Sequence, residues 1–126
     1  MEDMVSCAQA KFIGVQEEQV YGIMLDNARN IVGECLFAKG GFDSVNLPIE
    51  LVVQELLRHK SKNLILTHNH PNGMALPSLN DKMVTQRLEK ELQVLDIRLL
   101  EHVIIGKGEH DVVCMYAHGY LRSDFD

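Results

Sequence analysis

A chain of 126 residues has room for one domain around one core. Its 46% hydrophobic and 24% charged residues are those of an ordinary globular protein, and no apolar run approaches the length of a membrane span. A net charge of −6, with 12 basic residues scattered among 18 acids, argues against a general nucleic-acid binder, whose affinity rests on neutralising phosphates.

The opening Met1-Glu2-Asp3-Met4 has neither the basic nor the apolar region of a secretory signal, which predicts a cytoplasmic protein. Cys7, Cys35 and Cys114 are far apart, form no CxxC pair and are expected as reduced thiols. Residues 1–18 read as a lead-in, with residues 5–13 either a short helix or extended and Glu17-Glu18-Gln19 solvated. Residues 20–25 and 31–38 read as two strands of a hairpin, joined by the turn-forming Asp26-Asn27-Ala28-Arg29-Asn30. Lys39-Gly40-Gly41 ends the second strand, and a loop follows to Leu47.

Pro48 suits the first turn of a helix, and Ile49, Val52, Val53, Leu56 and Leu57 repeat at helical spacing. That helix ends near His59-Lys60. Residues 63–67 form a short apolar strand, and residues 68–77 a loop with two prolines and a glycine. A second helix starts at Ser78, with Val84, Leu88, Leu92 and Leu95 on its apolar face. Residues 97–105 and 111–116 read as closing strands around a turn at 106–109, and residues 121–126 as a polar tail. The order β-β-α-β-α-β-β predicts one mixed α/β domain, a single sheet flanked by helices.

His68-Asn69-His70 sits where the buried strand runs out. Residues i and i+2 of extended chain point to one side, so both imidazoles can reach one metal ion. Asp81 stands in the first turn of the next helix, where a carboxylate is stabilised by the helix N-terminus. Two histidines and a carboxylate leave one tetrahedral position for water, as in catalytic rather than structural zinc sites. Glu34, in an otherwise apolar strand, is the candidate general acid/base. Ser78 is the candidate oxyanion donor, although Ser78-Leu79-Asn80-Asp81 also reads as an N-cap with an acid at N3. His59 reads as a helix-end residue. His102 either packs in the core or approaches the site.

His68-x-His70, seven residues, Ser78, two residues, Asp81, with Glu34 upstream, resembles the pattern of the JAB/MPN (JAMM) zinc metallopeptidases. His68-Asn69-His70-Pro71-Asn72-Gly73, Pro77-Ser78 and the stretch from Asp96 to Gly106 resemble the RadC branch most. The likeness covers residues 19–120. It implies a cytidine-deaminase-like JAB/MPN fold and one zinc ion on His68, His70 and Asp81, with water as fourth ligand. Glu34 would act as acid/base and Ser78 would assist the oxyanion. The implied reaction is hydrolysis of a peptide or isopeptide bond in a peptide or protein conjugate by a zinc-activated water. The alternative is a weakly catalytic or non-catalytic RadC-type binding module associated with DNA repair, which the net charge disfavours. Full-length RadC proteins usually carry an N-terminal helix-hairpin-helix region, and no such region reads from these residues. Met74-Ala75-Leu76 replaces a more polar segment, which predicts an apolar substrate rim.

Overall fold

A computed structural model describes residues 2–41 and 47–122. Most of the expected loop before Leu47, and the tail beyond Arg122, lie outside the described residues. The elements in chain order are α1 (Glu2–Lys11), β1 (Gln19–Leu25), β2 (Ile31–Lys39), α2 (Ile49–Arg58), β3 (Asn63–Asn69), α3 (Leu79–Gln93), β4 (Arg98–Ile105) and β5 (Val112–Cys114). The strands form one open mixed sheet in the order β2-β1-β3-β4-β5, with β3 and β4 parallel and the other pairs antiparallel. This is the predicted α/β architecture, with a helix added at the front.

The sheet is covered on both faces. Val20, Met24, Leu64, Leu66 and Leu99 meet Val52 and Leu56 of α2 and Val84, Leu88 and Leu92 of α3. On the other face, Ile23, Leu25, Ile65 and Val103 meet Ala8 of α1 and Phe12 just beyond it. The segment read as a lead-in thus contributes a packed helix. Residues alternate between these faces because successive strand side chains point to opposite sides.

Local chemistry explains the element ends. The hairpin turn is held by Asp26, whose Oδ1 accepts from the N–H groups of Ala28 and Asn30, with Arg29 in the left-handed region. Pro48 is the N-cap of α2, one position ahead of the predicted first turn, and His59 is its C-cap. Leu57, expected in the buried stripe, is exposed, and Leu95, expected on the face of α3, lies beyond its last residue and is exposed too. Strand β3 runs two residues further than predicted, so His68 lies inside the sheet rather than in the loop.

The β3–β4 ladder contains a bulge. Leu64 faces Leu99 but Ile65 faces Glu101, so Leu100 is an extra residue in β4. The Glu101 carboxylate accepts from the N–H groups of His102, Tyr116 and Ala117 and fixes the chain beyond the bulge. The shift sets His102 opposite Leu66, on the same face as His68.

Candidate metal centre

The centre forms at the carboxyl end of the parallel pair β3–β4, where α3 begins. His68 is the next-to-last residue of β3 and is fully buried, on the α3 face with Leu64 and Leu66. His70 follows one residue after the strand. Its N–H donates to the carbonyl of Ile105, which keeps the exit in line with β4. Two further bonds staple the following loop to the β4–β5 turn: Lys107 N–H to Gly73 O at 2.9 Å, and Ala75 N–H to Asp111 Oδ2 at 2.8 Å.

Asp81 comes from the opposite side, in the first turn of α3. Ser78 caps that helix: its Oγ accepts from Asp81 N–H at 3.0 Å, and its own N–H donates to Asp81 Oδ2 at 2.9 Å. This reciprocal capping box is the structural role foreseen for the pair. It also aims the carboxylate. Asp81 Oδ1 lies 3.5 Å from His68 Nε2, and Oδ2 lies 3.3 Å from His70 Nε2. The two Nε2 atoms are 3.1 Å apart.

Those three separations bear on the metal. Donors about 2.0–2.1 Å from a tetrahedral zinc ion stand about 3.3 Å from one another. The donor types, two imidazole nitrogens and a carboxylate, are those zinc accepts. His70 is also turned correctly: its Nδ1 lies 2.8 Å from Met74 O, a carbonyl can only accept, and so Nδ1 carries the proton and Nε2 faces inward. With one Asp81 oxygen beside each imidazole, the residues present suit a metal ion of the kind that takes nitrogen and oxygen donors.

A second carboxylate stands at the rim. Glu18 Oε1 lies 3.9 Å from His68 Nε2, and Glu18, His68 and His70 form a cluster able to hold a metal ion. Asn69 places it. Asn69 Oδ1 accepts from Gln19 N–H at 2.7 Å, and Asn69 Nδ2 donates to Glu17 O at 3.0 Å. The two bonds grip the residues on either side of Glu18. Asn69 itself is buried.

Glu34 is not among these groups. It pairs with Ile23, which packs beneath α1, whereas Val20, the partner of His68, faces α2 and α3. The β1–β2 register thus puts Glu34 on the opposite face of the sheet. There its carboxylate meets Lys11 Nζ at 2.6 Å and accepts from the Cys7 thiol at 3.2 Å. The Lys11 hydrogen bond, against a smaller opposing effect of burial, holds Glu34 below the usual glutamate range. Ser78, in contrast, is brought to the centre with both histidines and Asp81. Glu18, expected to be solvated, is the residue that sequence patterns miss. Its signal is positional: in an antiparallel β1–β3 pair, whatever precedes β1 must lie beside the end of β3.

The electrostatics favour an ionised Asp81. Burial pushes its pKa up, but the two imidazoles of His68 and His70 beside it outweigh this and hold the carboxyl far below the usual range. The Asp81 hydrogen bond raises His70, with burial opposing. Burial first, then the neighbouring His68, push His102 well below the ordinary histidine value. His68 Nδ1 and His102 Nε2 are 2.6 Å apart.

A cleft of about 370 Å³ opens over the centre, lined by Gln16, Glu18, His70, Pro71, Asn72 and Gly73. A larger cavity of about 600 Å³ lies between α1 and the β4–β5 turn and shares Pro71 with it, but it contains none of the metal-facing groups. Of the two, the smaller cleft is the one bordered by His70 and Glu18. Met74, Leu76, Leu79 and Met83 are exposed on the adjoining loop and the start of α3, whereas Ala75 is buried. Among the described residues, no helix is long and apolar enough to cross a membrane.

The family profile described as "RadC-like JAB domain" matches residues 1–120. A UPF0758 protein of Vibrio atlanticus is 38% identical over 106 residues, covering 84% of this chain and 46% of its own length. A UPF0758 protein of Vibrio parahaemolyticus is 39% identical over 94 residues, covering 75% of this chain and 42% of its own. The chain thus spans less than half the length of these curated relatives.

Proposed function

This chain belongs to the RadC-like JAB domain family, and from that premise we propose that it is a zinc-dependent hydrolase of peptide or isopeptide bonds. The observation that carries the reading is the convergence of His68 Nε2, His70 Nε2 and the Asp81 carboxylate at mutual distances of 3.1, 3.3 and 3.5 Å. His68, His70 and Asp81 are the zinc ligands. When bound, zinc supplies Lewis acidity, which polarises a carbonyl and makes a water nucleophilic near neutral pH.

Glu18 takes the acid/base role foreseen for Glu34. It is partly exposed, borders the cleft and is gripped on both sides by Asn69, whereas Asp81 is buried and engages both imidazoles. Glu18 accepts a proton from the attacking water at its carboxylate and returns it to the leaving amine nitrogen. The Ser78 oxygen accepts from the helix backbone, which leaves the hydroxyl proton to stabilise the developing oxyanion. The exposed apolar side chains of Met74, Leu76, Leu79 and Met83 suit a peptide or protein substrate better than a small polar one.

The test pairs two variants. Zinc-loaded protein is offered panels of unmodified peptides and isopeptide-linked conjugates, and cleavage is followed by mass spectrometry. Glu18→Gln is expected to lower kcat about 10²–10⁴-fold with zinc retained. Glu34→Gln, across the sheet, is expected to leave kcat unchanged. A wild-type chain that binds no zinc, or equal losses in the two variants, overturns the reading.

A further inference from the structure

Resting on the metal reading above, we propose that Thr85 and His102 are positioning residues that lock His68 in the single neutral tautomer able to donate Nε2 to a metal ion. The observation is a buried chain of hydrogen bonds whose direction is fixed at one end. Thr85 Oγ1 lies 2.7 Å from Asp81 O, the bond back to residue i−4 that a helical threonine commonly makes. A backbone carbonyl has no proton to give, so the Thr85 hydroxyl donates there. Met115 Sδ, 4.0 Å away, is a weaker acceptor.

The remaining directions follow one from another. Thr85 Oγ1 also lies 2.7 Å from His102 Nδ1. Its only proton is already placed, so it accepts, and His102 Nδ1 carries a hydrogen. His102 and Thr85 are fully buried, where a charged imidazole is costly. The neighbouring Glu101 carboxylate is taken up by the N–H groups of His102, Tyr116 and Ala117. His102 is therefore neutral and its Nε2 is an acceptor. That atom lies 2.6 Å from His68 Nδ1, so His68 Nδ1 is the donor. In neutral His68 the unprotonated nitrogen is then Nε2, the atom facing His70 and Asp81. Reversing the chain would leave Thr85 Oγ1 and Asp81 O at 2.7 Å with no proton between them. The β4 bulge is what lets His102 take part, since it turns that residue to the face of His68.

Two measurements test the proposal. In metal-free, ¹⁵N-labelled protein, long-range ¹H–¹⁵N NMR of the imidazoles is expected to show the proton on Nδ1 of both His68 and His102. A proton on Nε2 of either ring overturns the assignment. Thr85→Val removes the hydroxyl at nearly constant volume and frees the His102 tautomer. Its zinc affinity, read by competition with a chromogenic chelator, is expected to fall about 10–100-fold, with Thr85→Ser restoring it. A purely structural threonine would lower the melting temperature of metal-free protein and leave both tautomer and affinity unmoved, and that result also overturns the proposal. A wild-type chain with no zinc affinity sinks the metal reading and the positioning role together. The NMR spectrum of the metal-free protein still reports separately whether the hydrogen bonds run from His68 through His102 and Thr85 to Asp81.

Discussion

Asn69 separates His68 and His70, and its side chain points the other way. Its amide satisfies Gln19 N–H and Glu17 O, and so it decides where Glu18 stands. Asn69→Ala leaves both backbone groups without that partner, at a cost of about 1–3 kcal/mol in stability where they stay buried. The expected functional result is a drop in kcat of about tenfold or more, since a small misplacement of a reacting group is expensive. Zinc affinity should change far less, because the Asn69 side chain bonds to Gln19 and Glu17 and not to a proposed ligand. Parallel turnover and chelator-competition assays check this, and an unchanged kcat would show that Glu18 needs no such support. Glu34 carries the opposite lesson. An acid within an apolar strand invites a catalytic reading, but its charge is answered locally by Lys11 of α1. Nothing in residues 31–37 announces a helix from the far N-terminus, so this partner was not legible.

At the level of elements, periodicity and capping chemistry revealed most of the fold. The hairpin, α2, α3 and the closing strands lie within a few residues of their predicted bounds because each is written in local pattern and turn residues. Non-local pairing was not legible. The β1–β3 ladder brings Glu18 to His68, and the β4 bulge brings His102 there. Neither pairing leaves a trace in a single sequence. The loop carrying His70 depends on such a contact too. A Cβ added to Gly106 would meet Asp111 Oδ2 at 2.1 Å and Ala75 N at 2.7 Å. Gly106→Ala must push the Asp111 carboxylate off Ala75 N–H and release the staple. A loss of about 1–3 kcal/mol in denaturant unfolding is expected from the overpacking. Weaker zinc binding should accompany it, because His70 rides on that loop. If affinity survives while stability falls, the staple serves the fold alone.

Across the whole molecule, the proposed ion joins β3 to α3, two elements that otherwise meet through apolar packing and the Thr85 chain. Zinc should therefore bind the folded chain far better than the unfolded one. Free zinc at a thousandfold excess over Kd adds about 4 kcal/mol to folding. For a domain of this size that corresponds to a melting temperature roughly ten degrees or more above that of chelated protein. Differential scanning calorimetry with and without a chelator reads this directly, and coincident transitions would count against the ion. The fold class, and the approach of His68, His70 and Asp81 to one another, were readable because strand alternation and a helix start lie within fourteen residues of one another. The second carboxylate was not, because it is sixty-odd residues removed from Asp81 along the chain.

Asp81 enters the centre twice. Its carboxylate faces His68, and its carbonyl receives the far end of the chain that starts at His68 Nδ1. The contacts thus form a closed circuit from His68 through His102 and Thr85 to Asp81 and back. Mechanically this is a braced frame: three hydrogen bonds hold one edge of the His68 ring, and the Asp81 carboxylate stands 3.5 Å from the other. Such a frame is already at its working shape before any ion arrives. Its consequence is kinetic: an ion would find the His68 ring already turned toward His70 and Asp81, with no reorientation of that ring needed before it binds.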